Sequence, residues 1–118
     1  MFALSAELNH YPGPLHALEL AEALKLTPTQ EQEIKQIREA HQARAKALGE
    51  QLVTLEEKLE AAFRSGQITK AGLEQLVTEI SGVEGRLRLE HLATHLEIRP
   101  LLSDEQVKQY DQLRGYGQ

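Results

Sequence analysis

Several residue types are scarce or missing in this chain of 118 residues. It contains no cysteine, which excludes a disulfide framework and any thiolate metal site. It also contains no tryptophan, two phenylalanines and three tyrosines, so leucine, isoleucine, valine and alanine must build the core. A core made of these side chains favours the packing of helices over a β-sandwich.

Long apolar runs and basic stripes are missing as well. No stretch approaches the roughly 20 apolar residues that span a bilayer, and residues 1–9 lack the basic start and apolar run of a signal peptide. We therefore expect a soluble chain without direct membrane insertion, although removal of a targeting or anchoring segment would leave no trace in this pattern. The formal charge is -5 and the basic residues are scattered among glutamates, so we expect no nucleic acid partner.

The motifs of catalysis are also missing. No serine nucleophile lies in a recognisable motif, and no glycine-rich phosphate loop follows a strand. The segment His91-Leu92-Ala93-Thr94-His95 lacks the glutamate that a metalloprotease HExxH motif uses as its general base. We therefore expect that this protein is not an enzyme and that it binds no organic cofactor.

Helical periodicity dominates what is present. Strong breakers occur before the tail only at residues 11–14 and at Ser65-Gly66. Between and after them, apolar residues recur at steps of three and four, which predicts two long helices. These positions are Ile34, Ile37, Leu48, Leu52, Leu55, Leu59 and Phe63, followed by Leu73, Leu76, Ile80, Val83, Leu87 and Ile98.

Capping residues indicate where the first two helices begin. Pro14 opens a short helix that runs to about Leu24. Thr27 caps the first long helix, Pro28 suits its first position, and Gln30 can close a capping box.

The hairpin connection and the second long helix are marked in the same way. The first long helix should end at Ser65, with Gly66 as its C-terminal cap. Thr69 can cap the second long helix, and Pro100 should end or kink it. A connection this short makes the two long helices antiparallel.

A second capping box opens the last helix. Ser103 caps it and Gln106 closes the box, and the helix should run to about Arg114 before Gly115 stops it. We therefore predict an all-α fold, a long antiparallel helical hairpin with short N-terminal and C-terminal helices. It forms a single domain over residues 1–118, with 1–13 and 115–118 flexible. A lone hairpin buries little surface, so we expect a homodimer.

The turn near Gln67 sets the register of the hairpin, because facing residues should have numbers that add up to about 134. This rule places His41 level with His91 and His95, which are four apart and therefore share one helical face. Imidazoles suit Zn, Ni, Co or Cu ions. A fourth ligand could be His16, His10, Glu39 or water.

The alternative interpretation of these histidines is structural. His41 would then be a hydrogen-bonded core residue, and His91 and His95 would be half-exposed polar breaks in the apolar stripe. The convergence of three imidazoles at one level, rather than any one of them, is what favours a metal site.

Two further features bear on shape and partners. Gly49 and Gly85 face each other by the same rule, with Gly82 one turn away. This indicates either a bend or close approach of the helices that makes a concave cradle, or simply softer helices.

The second long helix also carries an additional apolar row, which could pack under the first short helix or form a dimer surface. The row consists of Leu89, Leu92 and Leu96.

The two helix starts, Leu26-Thr27-Pro28-Thr29-Gln30 and Leu102-Ser103-Asp104-Glu105-Gln106, resemble the paired LTxxQ motifs of the Spy/CpxP family, with serine replacing threonine in the second copy. The resemblance extends from Leu15 to Tyr116 and includes a heavy-metal-resistance branch, the zinc resistance-associated proteins and the nickel and cobalt sensors. It implies a periplasmic, helical and usually dimeric protein of the stress response.

The two branches of this family imply different partners. The sensor branch implies metal ligands at His91 and His95 and a membrane regulator, although its thioether ligand has no counterpart here because Met1 is the only methionine. The chaperone branch implies unfolded protein clients and has a more basic concave face than this acidic chain. We therefore predict a metal-binding sensor or resistance module, with an ATP-independent chaperone as the alternative.

Overall fold

The structure, a computed structural model, describes residues 4–116, and every element in this range is helical. The all-α prediction is confirmed for these residues. The segments expected to be flexible, 1–13 and 115–118, include residues 1–3 and 117–118, which lie outside the described part. The elements are α1 (Leu4–Glu7), α2 (Pro14–Glu19), α3 (Ala21–Leu24), α4 (Pro28–Arg64), α5 (Lys70–Ile98), a 3-10 turn (Arg99–Leu101) and α6 (Asp104–Arg114).

Helices α4 and α5 form the predicted antiparallel hairpin. They contain 37 and 29 residues, and α4 alone accounts for most of the 59 Å length of the molecule. The chain reverses immediately after Ser65, where Gly66 has a φ of 72°, a left-handed conformation that glycine adopts without steric cost. None of the helices between residues 4 and 116 has the length and apolarity needed to cross a bilayer.

The capping residues act as their sequence positions indicated. At the start of α4, the side chain of Thr27 accepts from the Gln30 backbone N–H, and the Gln30 side chain accepts from the Thr27 N–H. Ser103 and Gln106 make the same two hydrogen bonds at the start of α6. Both predicted capping boxes are therefore confirmed.

The two capping-box glutamines also bond to each other. Gln30 Nε2 donates to Gln106 Oε1 at 2.8 Å, and Gln106 Nε2 donates to Gln30 Oε1 at 3.0 Å. The same two amide groups donate to the carbonyl oxygens of Leu101 and Leu24 respectively. The starts of α4 and α6 are thus joined at the base of the hairpin, defined here as its end nearest these helix starts.

The buried core lies at this base rather than along the whole hairpin. Towards the turn, Val53, Phe63 and Val77 are about half exposed, although Phe63 follows the apolar period. Two helices alone cannot enclose these side chains. The main core cluster consists of Ala17, Leu24, Ile34, Ile98, Leu102, Val107 and Tyr110, and Ile80 and Val83 are buried separately further along α5.

Two expectations about the long helices are corrected. A Cβ atom added at Gly49, Gly82 or Gly85 would meet nothing within 4 Å, so the expected close approach of the helices there is wrong. The alternative of Leu89 and Leu96 packing under the first short helix is also wrong, because these side chains are 65% and 62% exposed. Most of each side chain is therefore open to solvent in the described chain, although Leu89 borders a shallow pocket beside Ala47 and Leu48 of α4.

Candidate functional site

A cleft of about 710 Å³ lies at the base of the hairpin, between α1, α2, α4, α5 and the end of α6. Its position follows from the short helices, which fold back beside the long ones and leave a space between them. Four of the six side chains that the sequence suggested as metal ligands line this cleft, and they are His16, His41, His91 and His95. The structure does not, however, join all four in one cluster.

His41 and His91 form a direct pair across the hairpin. His41 Nε2 lies 3.2 Å from His91 Nδ1, and the rings meet edge to face with centroids 4.6 Å apart. Two imidazole nitrogens on one tetrahedral zinc ion, each about 2.05 Å from it, would be about 3.3 Å apart. The observed separation is close to this value, but the contact is a hydrogen bond, so the proton between the two nitrogens would have to leave before both could bind one ion.

Glu90 and Arg44 orient the pair from behind. His41 Nδ1 lies 3.4 Å from Glu90 Oε1, and Arg44 Nε donates to the same oxygen at 2.6 Å. Burial alone would raise the pKa of Glu90, but the hydrogen bonds from Arg44 and His41 and the charge of Arg44 outweigh it and lower the pKa. An ionised carboxylate at Nδ1 leaves Nε2 of His41 directed at His91, the arrangement that supports metal-binding histidines.

The involvement of Glu90 was not predicted, although the sequence contains a pattern that indicates it. Residues 44 and 90 obey the same register rule as His41 and its partners, and they carry opposite charges. A search for facing ion pairs along the hairpin would have found them.

The surroundings of His91 favour its neutral form by lowering its pKa. Burial in the cleft lowers its pKa from the ordinary value of 6.5, and the nearby charge of His41 lowers it further. Neutral imidazole is the form that binds metal ions. The lowered pKa of His91 therefore favours the form of this side chain that can act as a metal ligand.

His95 is directed towards the N-terminal segment instead. It is 6% exposed, and its Nδ1 lies 2.7 Å from the carbonyl oxygen of Tyr11, to which it donates. A Cβ added at Gly13 would lie only 2.8 Å from Cε1 of the His95 ring. Residues 11–13 thus pack directly against this imidazole, which was expected to lie with His41 and His91.

The remaining candidates bond elsewhere. His16 Nδ1 pairs with Glu19 at 2.8 Å, and His10 Nδ1 pairs with Asp111 at 2.5 Å. Glu39 lies on the exposed side of α4. Within residues 4–116, no three histidines or carboxylates are grouped closely enough to hold a metal ion. The structure therefore brings His41 and His91 together as a pair, and His16 and His95 line the same cleft without joining it.

A buried network that the sequence did not indicate anchors the N-terminal segment. The Tyr110 hydroxyl donates to the Glu7 carboxylate, at 2.9 and 3.0 Å from its two oxygens, and accepts from the Gly13 backbone N–H at 3.3 Å. Burial raises the pKa of Tyr110, and the adjacent Glu7 raises it further. Residues 4–13 are thereby tied to α6, and they form one wall of the cleft.

A comparison with protein-family models matches residues 15–114 to the family described as LTXXQ motif family protein. The matched range contains both capping boxes and both long helices. Neither a curated protein nor a solved structure matches the chain.

Proposed function

The chain belongs to the LTXXQ motif family, and from this premise we propose that it is a periplasmic metal-binding sensor or resistance module. The observation that supports the proposal most directly is the 3.2 Å separation between His41 Nε2 and His91 Nδ1. Family membership alone supports a Spy/CpxP-like protein and does not distinguish a sensor from a chaperone. The histidine pair is what favours metal binding.

In this proposal His41 and His91 hold a Zn, Ni, Co or Cu ion, and water completes the coordination. The ion would replace the hydrogen bond between His41 on α4 and His91 on α5 with two coordinate bonds. Glu90 keeps the His41 ring in place and offsets part of the positive charge. Recruitment of His95 as a third ligand would require its ring to leave the Tyr11 carbonyl oxygen. Metal binding could in this way be transmitted to the N-terminal segment and to a membrane regulator.

Calorimetric titration with Zn, Ni, Co and Cu tests the proposal. A His41→Ala, His91→Ala double variant should bind the preferred ion at least about tenfold more weakly than the unchanged chain. His10→Gln is the control, because His10 pairs with Asp111 and does not line the cleft. Affinity should also decrease below about pH 6 as imidazoles are protonated. Equal affinities in the double variant and the control would refute the metal site.

A second function, an ATP-independent chaperone, is favoured by the exposed apolar surface. Leu89 and Leu96 are largely exposed on α5, and the tip of the hairpin exposes further apolar side chains. Exposed apolar surface can bind partly unfolded chains. The protein should then suppress aggregation of a denatured client without ATP, and Leu89→Ser with Leu96→Ser should reduce the effect. Leu113→Ser, also at an exposed leucine, is the control.

The proposal includes no catalytic role, and it places the protein in the periplasm as a homodimer. Fractionation of the cells that produce the full-length protein tests the location. Absence from the periplasmic fraction would contradict this part of the proposal.

A further inference from the structure

The charge of the cleft is opposite in sign to the charge of the whole chain. The chain has a formal charge of -5. Three permanently cationic residues line the cleft, Arg38, Lys46 and Arg114, and Glu7 is the single carboxylate among its lining residues in the described chain. A concentration of positive charge in a concave region attracts anions even when the protein as a whole is acidic.

Glu7 and Arg114 are already engaged within the protein. The Glu7 carboxylate accepts from the buried Tyr110 hydroxyl, and Arg114 Nη2 donates to the Tyr116 hydroxyl at 3.5 Å. The buried Nε of Arg114 has no hydrogen-bond partner in the described chain. Because the charges of Glu7 and Arg114 are opposite, Arg38 and Lys46 account for the net positive charge of the lining.

One wall of the cleft is formed by a row of hydrogen-bond donors on α4. Arg38, Gln42 and Lys46 are spaced four residues apart, which places them on one face of the helix, and all three line the cleft. Their side chains make no hydrogen bond or ion pair with any residue between 4 and 116. Long cationic side chains on both sides of an amide can converge on one carboxylate near Gln42.

Besides the histidines, the cleft also contains an apolar surface. Leu15 approaches from α2, Ala45 lies beside the donor row on α4, and Leu87 faces them from α5. A volume of about 710 Å³ lies within the range of sites that bind small molecules. An apolar lining with a few polar groups at one side is the usual composition of such sites.

We propose that this cleft binds a small organic acid that carries one carboxylate on an apolar body. The carboxylate accepts from Arg38, Gln42 and Lys46, and the apolar body packs against Leu15, Ala45 and Leu87. A neutral ligand would leave the cations without a counter-charge, and an ammonium ligand would be repelled by them. The site goes beyond the proposed metal function and does not need a metal ion.

Titration of the full, isotopically labelled chain with octanoate, followed by NMR in the presence of a chelator, tests this inference. Octanoate should bind saturably and shift the amide signals of residues 38–46. Three matched compounds test which parts of octanoate are needed for binding. Octanol lacks the negative charge, octylammonium carries a positive charge instead, and acetate lacks the apolar body. Each should bind at least about tenfold more weakly than octanoate.

An Arg38→Gln, Lys46→Gln variant should weaken octanoate binding about tenfold. The control is Lys58→Gln with Arg88→Gln, which removes the same charge from exposed positions outside the cleft and should bind octanoate as the unchanged chain does. Circular dichroism verifies that both variants are folded. The inference is overturned if octanoate does not saturate, if octanol binds equally well, or if the two variants behave alike. None of these outcomes bears on metal affinity, which is measured separately.

Discussion

Gln30 and Gln106, which are 76 residues apart in the chain, exchange two hydrogen bonds through their side-chain amides. Each glutamine also closes the capping box of its own helix. Glutamine therefore acts at both helix starts as part of the cap and as a link between the two helices. This double use explains why the two motif copies share glutamine in their last position even though they differ at threonine and serine.

Replacement of Gln30 by alanine should lower the free energy of unfolding by about 2–3 kcal/mol, because the Gln106 amide and the Leu101 carbonyl oxygen would both lose a partner. Urea denaturation measures the change. Gln36→Ala, at an exposed position of the same helix, is the control and should cost less than about 0.5 kcal/mol. Equal losses in the two variants would show that the link between the motifs contributes nothing.

Glycine substitutions should have opposite effects at two positions. Gly13→Ala should destabilise the protein by about 1–2 kcal/mol, because the new methyl group would collide with the buried His95 ring. Gly49→Ala should stabilise it by about 0.5–1 kcal/mol, since its Cβ meets open space and alanine is the better helix former. Thermal and urea denaturation of both variants provide the comparison. Stabilisation by Gly13→Ala would mean that His95 is not packed against this segment.

Acidification should weaken the fold through His91. Its pKa is lowered in the folded chain by burial and by His41, so the unfolded chain takes up the proton at a higher pH than the folded chain does. This contribution to stability is complete above about pH 7 and declines as the pH falls through 6.5 towards the folded pKa. Urea titrations at pH 7 and pH 5.5 should show a loss that His91→Gln removes.

Glu90 contributes to stability over a separate and lower pH range than His91 does. Its pKa is lowered in the folded chain, so its contribution is present above its unfolded value of 4.5 and disappears as the pH falls through the folded value. The loss between pH 7 and 5.5 should consequently persist in Glu90→Gln, which serves as the comparison. A His91→Gln variant with an unchanged loss over this interval would contradict the assignment to His91.

Removal of the Tyr110 hydroxyl should release the N-terminal segment. Tyr110→Phe leaves the buried Glu7 carboxylate and the Gly13 N–H without their partner, at a cost of about 2 kcal/mol. Hydrogen exchange should become faster in residues 4–13 before the rest of the chain is affected. Tyr11→Phe is the control, because the Tyr11 side chain is 38% exposed. Unchanged exchange in Tyr110→Phe would show that the hydroxyl does not anchor the segment.

The expected homodimer can be tested through the uncovered row on α5. Leu89→Ser with Leu96→Ser removes two largely exposed apolar side chains and should weaken self-association at least about tenfold. Sedimentation velocity over a range of concentrations measures this change. The row is not a dimer surface if the variant dimerises as strongly as Leu113→Ser does.

Local chemistry was sufficient to predict the elements of this fold. The capping boxes at Thr27 and Ser103, and the left-handed glycine stops at Gly66 and Gly115, lie where the pattern of residues placed them. These features depend on contacts within one helical turn, so the residues next to each helix end are enough to predict where the helix begins or stops. The position of the turn then determined the register, which correctly placed His41 beside His91.

The tertiary structure alone decided how the site is completed. The spacing of His91 and His95 puts them on one face of α5, but residues 11–13 pack against His95 and take up its Nδ1. That segment is held by Tyr110, about a hundred residues away in the chain. Such contacts depend on how separate helices pack and on which side chains lose their water, and no local period or spacing encodes them.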